Sequence, residues 1–194
     1  SIADLIIING TGLVYEIKTE LDNLDRLENQ VADYYKAFDQ VCVITSESHY
    51  DKVEEIFAYS NVGVSVLTND NAIIPKKPSK RDQTSLDSDV MFRILRKQEY
   101  ETILLKHFGY LPDVVPVRHY RECKEMFGRI SPIQAYEYML QELRLRNQTD
   151  AQAFESVVPY ELKSLVYFSG FRSRDYIRLR EFLEGGLQDV FSIS

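Results

Sequence analysis

The sequence of 194 residues lacks the features that mark several large classes of protein. It has only two cysteines, Cys42 and Cys123, which lie far apart in the sequence and lack the spacing of metal ligands. This scarcity is typical of a reducing compartment. No apolar run reaches the roughly 18 residues that a transmembrane helix needs, and no basic and apolar leader precedes the first strand. The sequence therefore predicts a cytoplasmic protein without a membrane span.

Basic charge is scarce as well, with 23 lysines and arginines against 30 acidic residues and a net charge of −7. A net negative charge disfavours a polyanionic partner, but the charge is unevenly distributed along the chain. Residues 20–70 hold eleven acids and three bases, whereas residues 76–110 hold eight bases and five acids. The net charge therefore does not exclude nucleic acid, but it restricts any contact to a local basic strip with marked salt sensitivity.

The first 70 residues show short apolar runs that alternate with helical periodicity. Two β-rich runs flank a turn with two glycines, Gly10 and Gly12, which indicates a hairpin. An apolar stripe from Leu24 to Phe38 predicts a helix, whose start Asp22 or Asn23 can cap. A buried strand, a helix and another strand follow, in the ranges 41–45, 50–59 and 62–67. The predicted order is β-β-α-β-α-β, an α/β fold with parallel pairing across the helices.

Three segments are expected along the chain: an α/β core at 1–70, a basic linker or loop at 71–87, and an all-helical region at 88–194. The linker has two prolines and no periodicity. The helical region is divided into five predicted helices, at Ser88–His107, Arg118–Phe127, Pro132–Arg146, Pro159–Phe168 and Ser173–Leu183. This region is a candidate surface for a partner protein or a second copy of the chain.

The residues that suggest chemistry lie on the predicted hairpin. Glu16 and Lys18 are two positions apart on a strand, so their side chains share one face. If Gly10–Gly12 forms a three-residue turn, Asp4 faces Lys18 and joins the same face; an even loop would place Asp4 on the opposite face. A surface ion pair on a half-exposed strand is the simpler interpretation of Glu16 and Lys18.

Two carboxylates side by side repel unless a cation lies between them. Mg²⁺ suits such a site, because it prefers oxygen ligands and is often held by one or two carboxylates and water. A metal of this kind activates water and stabilises charge on a phosphodiester oxygen, and a nearby lysine can orient that water. Aspartate, glutamate and lysine together are thus a minimal set for phosphodiester cleavage.

The pattern Asp4…Glu16-Ile-Lys18, with an apolar strand around each half, resembles the PD-(D/E)xK nuclease superfamily, which has a restriction-endonuclease-like fold. The helix that follows carries Gln30-Val-Ala-Asp-Tyr34, similar to the Q-x-x-x-Y motif of the RecB-type branch. The string from Tyr15 to Thr45 also resembles a family of uncharacterised bacterial proteins with a D…YEIK…Q-x-x-x-Y pattern. The resemblance covers about residues 3–67. The first helix of that fold would lie before Ser1, and Ala3 stands where many members have proline.

This resemblance implies a restriction-endonuclease-like mixed sheet flanked by helices, with Mg²⁺ or Mn²⁺ as the cofactor. It implies metal ligands at Asp4, Glu16 and Ile17, assistance from Lys18, and a site lined by Gln30 and Tyr34. The expected function is hydrolysis of phosphodiester bonds in DNA or RNA. The alternative is a catalytically inactive nuclease fold that binds DNA or protein in a bacterial repair or defence system, or a component that is active only with a partner. Tyr34 alone could be an ordinary core residue.

Two basic clusters are candidates for nucleic-acid binding. One lies in the proline-containing segment, and the other begins the last predicted helix. Each also has a plain interpretation, as a solvated loop and as the polar face of a surface helix. The candidate residues are Lys76, Lys77, Lys80, Arg81, Arg172 and Arg174.

Overall fold

The computed structural model describes residues 3–146, 156–159, 162 and 173–190, with side chains for 174–183 in the last range. The chain divides into two compact units, Ser1–Leu143 and Arg144–Ser194. No helix in the described ranges is both long and apolar enough to cross a bilayer.

The first unit is a mixed α/β structure built on five strands. The strands are β1 (Leu5–Ile8), β2 (Gly12–Lys18), β3 (Gln40–Ser46), β4 (Gly63–Leu67) and β5 (Ile73–Lys77). Their spatial order follows their order in the chain. The pairs β1–β2 and β4–β5 are antiparallel, whereas β2–β3 and β3–β4 are parallel. The α/β fold class and the parallel centre of the sheet are confirmed.

Helices make the two parallel crossovers and then continue along the chain. The crossovers contain α1 (Leu27–Tyr35) and α2 (Tyr50–Phe57), the latter after a 3₁₀ turn at Glu47–His49. The later helices are α3 (Ser88–Ile94), α4 (Lys97–Phe108), α5 (Pro116–Phe127), α6 (Pro132–Arg146) and α7 (Ser173–Val190). In the second unit, Val158 and Tyr176 are buried together, with Leu162 and Leu179 packed against them.

Several predicted bounds differ from the structure. The segment predicted as one helix, Ser88–His107, is two, because Leu95 and Arg96 are extended and the Glu99 carboxylate accepts the Arg96 N–H at 2.6 Å to start α4. Helix α5 begins earlier than predicted, at Pro116, where a missing N–H is harmless. Most of the predicted helix Pro159–Phe168 lies outside the described residues.

The start of α1 was also predicted wrongly. The helix begins at Leu27 after Arg26, which makes no side-chain cap. Asp22 instead accepts the N–H and the hydroxyl of Thr19, at 2.7 and 2.6 Å. Asp22 therefore closes the turn after β2, and these hydrogen bonds lower the pKa of its carboxyl.

The expected linker at 71–87 contains a strand and is anchored to the rest of the unit. β5 forms the sheet edge, where Pro75 is tolerated because an edge strand does not need every N–H, and the pairing is irregular near Val64. Beyond it, the backbone N–H groups of Lys80, Asp82 and Asp87 donate to carbonyls of Asn61, Asp39 and Lys36. The predicted boundaries thus differ from the observed division at Leu143.

A single hydrophobic cluster joins the sheet to α1 through α6. Residues on one face of the sheet, such as Val14 and Val43, belong to the same cluster as Phe92 of α3 and Tyr136 of α6. Helices α3 to α6 therefore share one core with the sheet, and no separate helical core is formed within residues 3–143.

Candidate active site

The hairpin of β1 and β2 positions the acidic residues. Ile8 pairs with Gly12 and Ile6 with Val14, so the loop is Asn9–Thr11, with Gly10 at a φ of 75°. The expected three-residue loop is present, but it begins one residue earlier than Gly10. Ile6 therefore pairs with Val14 and not with Glu16, a shift of two residues in the cross-strand register. Because two is the period of a strand, the faces are unchanged. Asp4 lies one residue before β1, outside the paired register, so the expected position opposite Lys18 is not formed.

Side chains on this face alternate with those on the other face of β2. Glu16 and Lys18 are buried, at 2% and 8% exposure, whereas Ile17 between them is exposed on the opposite face. An exposed surface ion pair, the simpler interpretation of this motif, is therefore wrong. A buried ion pair needs good geometry and further hydrogen bonds to offset the loss of hydration.

Three donors provide that compensation at the Glu16 carboxylate. The Lys18 ammonium and the Gln30 side-chain amide donate to its Oε1, at 2.7 and 2.8 Å. The Tyr34 hydroxyl donates to its Oε2 at 2.5 Å. Gln30 and Tyr34 are four residues apart on α1, so one helix face presents both side chains to the strand. The structure brings together four of the residues proposed from sequence.

Asp4 lies at the edge of this group. Its side chain is exposed, and its Oδ2 accepts the backbone N–H of Ile17 at 2.8 Å. Burial, the hydrogen bond to Glu16 and the negative charges of Glu16 and Asp4 all raise the pKa of Tyr34. The phenol therefore stays protonated at neutral pH and remains a donor to Glu16.

The site offers oxygen atoms as ligands, which is the donor type that Mg²⁺ and Mn²⁺ require. A carboxylate has about four lone-pair sites, of which Glu16 uses three in these hydrogen bonds and Asp4 one. Among the described residues, no group of three or more His, Cys, Asp or Glu side chains is arranged to hold a metal. Of the ligands that the resemblance implies, the carboxylates of Asp4 and Glu16 both lie near the Tyr34 hydroxyl. Oxygen is the donor type that these cations prefer, whereas zinc sites more often include cysteine or histidine.

Four of the basic residues proposed for nucleic-acid binding lie in the first unit, and within its described residues none of the four has a hydrogen bond or ion pair to Asp4 or Glu16. The Lys77 ammonium donates to the carbonyls of Phe57 and Ser60, at 2.5 and 2.7 Å, where α2 ends. The Arg81 guanidinium donates to Asp39 at 2.7 Å. Lys76, Lys80 and Arg174 are exposed, Lys76 with its ammonium 5.8 Å from the Tyr50 ring centre. Arg172 lies outside the described residues.

Comparison with known proteins assigns the chain to a family. The model of the family "Bacteriophage P4 protein cII" matches residues 1–165. The chain belongs to this family. It is 25% identical over 157 residues to "Protein cII" of Enterobacteria phage P4, across 79% of this chain and 58% of that relative. It therefore spans less than two thirds of the relative's length. No solved structure matches the chain.

In this member of the protein cII family, a cleft adjoins the acidic group and was not predicted from sequence. It has a volume of about 490 Å³ and lies between β1, α1 and α3. Tyr34 lines this cleft while its hydroxyl binds Glu16, so the two features are contiguous. The lining residues come from three elements that are far apart in the chain, so no local pattern could have revealed the cleft.

Proposed function

We propose that this chain is a metal-dependent nuclease of the PD-(D/E)xK type, with a restriction-endonuclease-like core in its α/β unit. The observation that carries the proposal is the convergence of Lys18, Gln30 and Tyr34 on the buried Glu16 carboxylate, beside Asp4. An ion pair needed only for stability is seldom buried, because well-packed apolar residues do as well or better. Buried ionisable groups around an open acidic edge are more typical of a reactive site.

Each residue has a distinct role in this proposal. Asp4, Glu16 and the Ile17 carbonyl would hold Mg²⁺ or Mn²⁺, which when bound activates water and neutralises charge on a phosphodiester. Gln30 and Tyr34 fix the orientation of Glu16 through their hydrogen bonds. Lys18 supplies a positive charge next to the carboxylates, where it can orient the attacking water and stabilise negative charge on the phosphate. The substrate is DNA, or RNA with the same backbone chemistry.

One observation favours the alternative, a nuclease fold without turnover that binds DNA or protein. The Lys18 ammonium is engaged by Glu16 at 2.7 Å, and both side chains are nearly closed off from water. A group held in this way could serve the fold alone. A cleavage assay on an Asp4 variant separates the two functions, because only the nuclease requires the metal and the carboxylate of Asp4.

The sharpest variant is Asp4→Asn. Asp4 is exposed, and asparagine has nearly the same shape and keeps an oxygen that can accept the Ile17 N–H. We therefore expect the fold to persist while one of the two carboxylates is lost. With Mn²⁺ and labelled single-stranded DNA, double-stranded DNA and RNA, wild type should cleave at least one substrate, and Asp4→Asn should lose about a hundredfold or more in rate.

Lys52→Ala is the matched control, since Lys52 is an exposed lysine on α2 outside the acidic group. It should cleave like wild type, and chelation of the metal by EDTA should stop both. Cleavage that persists in EDTA, or that is equal in Asp4→Asn and wild type, would contradict the nuclease. Nucleic-acid binding without cleavage by wild type would support the inactive alternative.

A further inference from the structure

The cleft beside Tyr34 opens on the same face of the sheet as the acidic group. Ile6 lines it from β1 and pairs with Val14 of β2, which is two residues from Glu16. By strand alternation, Ile6 therefore shares the face of Val14 and Glu16. A strand of nucleic acid with one phosphate at the carboxylates would have an adjoining nucleotide at this cleft.

The lining of the cleft combines an apolar floor with cations at the rim. Ala37 and Phe38, just after α1, and Val90 of α3 supply apolar surface. Asp33, Lys36 and Arg93 also line the cleft; the Lys36 ammonium pairs with the Asp33 carboxylate at 2.7 Å, and the Arg93 side chain is 61% exposed. An apolar surface suits the face of a base, and an exposed cation beside it suits the phosphate to which that base is attached.

Arg93 keeps bonding capacity for a phosphate. Its Nε donates to the Asp89 carbonyl at 3.2 Å, and one terminal nitrogen donates to the Asp89 carboxylate at 2.8 Å. A guanidinium has five N–H donors, so these two bonds leave others for a further acceptor. The Asp89 carboxylate also pairs with the Lys124 ammonium at 2.6 Å, so its negative charge is partly neutralised without Arg93.

We propose that this cleft binds one unpaired nucleotide of a single-stranded substrate, with its base against Ala37 and Val90 and its phosphate at Arg93. The identity of the ligand rests on the proposed nuclease function. The volume of about 490 Å³ lies within the range of roughly 300–1,000 Å³ that is usual for small-molecule pockets. A base stacked inside a duplex cannot enter such a cleft without being extruded. The preferred substrate class is therefore single-stranded nucleic acid or an unpaired strand end.

Binding can be measured without catalysis. Fluorescence anisotropy of labelled oligothymidine and oligouridine, in EDTA and at low salt, gives Kd and its salt dependence. We expect wild type to bind both single strands at least about tenfold more tightly than a duplex of equal length. Arg93→Ala should weaken binding about threefold to tenfold and reduce the slope of log Kd against log salt by about one, as for one lost phosphate contact.

Arg121→Ala is the matched control, because Arg121 is 64% exposed, pairs with carboxylates of its own helix and does not line the cleft. It should leave Kd and the salt slope unchanged. Val90→Trp should fill the cleft and reduce affinity about tenfold or more. If the tryptophan variant does not fold, as circular dichroism would show, Arg93→Ala decides the question.

Duplex bound as tightly as single strand, or a salt slope unchanged in Arg93→Ala, would overturn the nucleotide cleft. Absence of single-strand binding by wild type would also overturn it. These outcomes are distinct from failure of the nuclease. Loss of binding in both cleft variants without any cleavage by wild type would retain the cleft and remove the enzyme.

Discussion

The buried ion pair of Lys18 and Glu16 should contribute more to the free energy of unfolding than an exposed ion pair of the same length elsewhere in the chain. Lys18→Met keeps the length of the side chain and removes its charge. The Glu16 carboxylate, with 3% of its side chain exposed, is then left without its cation. Removing one partner of a buried ion pair typically costs about 3–5 kcal/mol. Gln30 and Tyr34 still donate to Glu16, so we expect the lower end, about 3 kcal/mol.

Lys36→Met is the control. Lys36 pairs with Asp33 at 2.7 Å, the same distance as in the buried pair, but both side chains are 44% exposed. Exposed pairs contribute about 0–1 kcal/mol, so this variant should differ little from wild type. The double variant Glu16→Gln with Lys18→Met should recover most of the loss, because the uncompensated charge is gone.

Urea unfolding at neutral pH, followed by circular dichroism, measures these differences. A loss of about 3 kcal/mol corresponds to a fall in Tm of about 6–12 °C for a chain of this size. If Lys18→Met costs no more than Lys36→Met, the reasoning about the buried pair is refuted. If the double variant is as unstable as the single one, the loss does not come from the unpaired carboxylate.

Other variants test the core and the tyrosines. Tyr136→Phe should lose about 2 kcal/mol in urea unfolding, since the Tyr136 hydroxyl donates to buried Asp39 at 2.5 Å and accepts the Gly12 N–H at 2.8 Å. Gly12→Ala should lose about 1–3 kcal/mol, because the new Cβ would lie 2.7 Å from Phe38 Cδ1; an unchanged Tm would contradict this packing. Burial, followed by nearby negative charges, raises the pKa of Tyr35 to about 12. Unfolded tyrosine ionises first, near pH 10, so this residue's contribution to stability is present below pH 10 and is lost as the pH rises to about 12. Tyr35→Phe should lose no more than about 1 kcal/mol at pH 7, because the buried hydroxyl makes at most a weak hydrogen bond with the Val41 backbone. The variant should also reduce the alkaline loss by roughly 1–2 kcal/mol after allowance for screening, and an identical alkaline profile would contradict the assignment.

The order of strands and helices in the first 70 residues could be predicted because the signals are local. Apolar runs and the stripe on α1 report burial directly, and the period of a strand placed Glu16 and Lys18 on one face. The face of the side chains on β1 depended only on whether the loop length was odd. The residue of β2 that faces each residue of β1 depended on which glycine has the positive φ, and Gly10 has it rather than Gly12.

Features that depend on distant contacts could not be predicted in this way. β5 contains a proline and is recognised only by its pairing with β4 at the sheet edge. Gly12, Asp39 and Tyr136 form one hydrogen-bonded cluster, although 97 residues separate Asp39 from Tyr136. Lys77 lies in the basic, proline-containing segment of the sequence, but its ammonium binds the carbonyls at the end of α2. A sequence pattern reports which residues are charged, but the fold decides which charges are already satisfied.

The central claim is that the carboxylates of Asp4 and Glu16 form a metal-dependent site for phosphodiester cleavage. Its most direct test is the Mn²⁺-dependent cleavage rate of wild type and Asp4→Asn on labelled DNA, with Tm measured on the same samples. We expect metal-dependent cleavage by wild type and a loss of about a hundredfold or more in Asp4→Asn at unchanged Tm. Equal rates for the two proteins, or cleavage that does not need the metal, would contradict it.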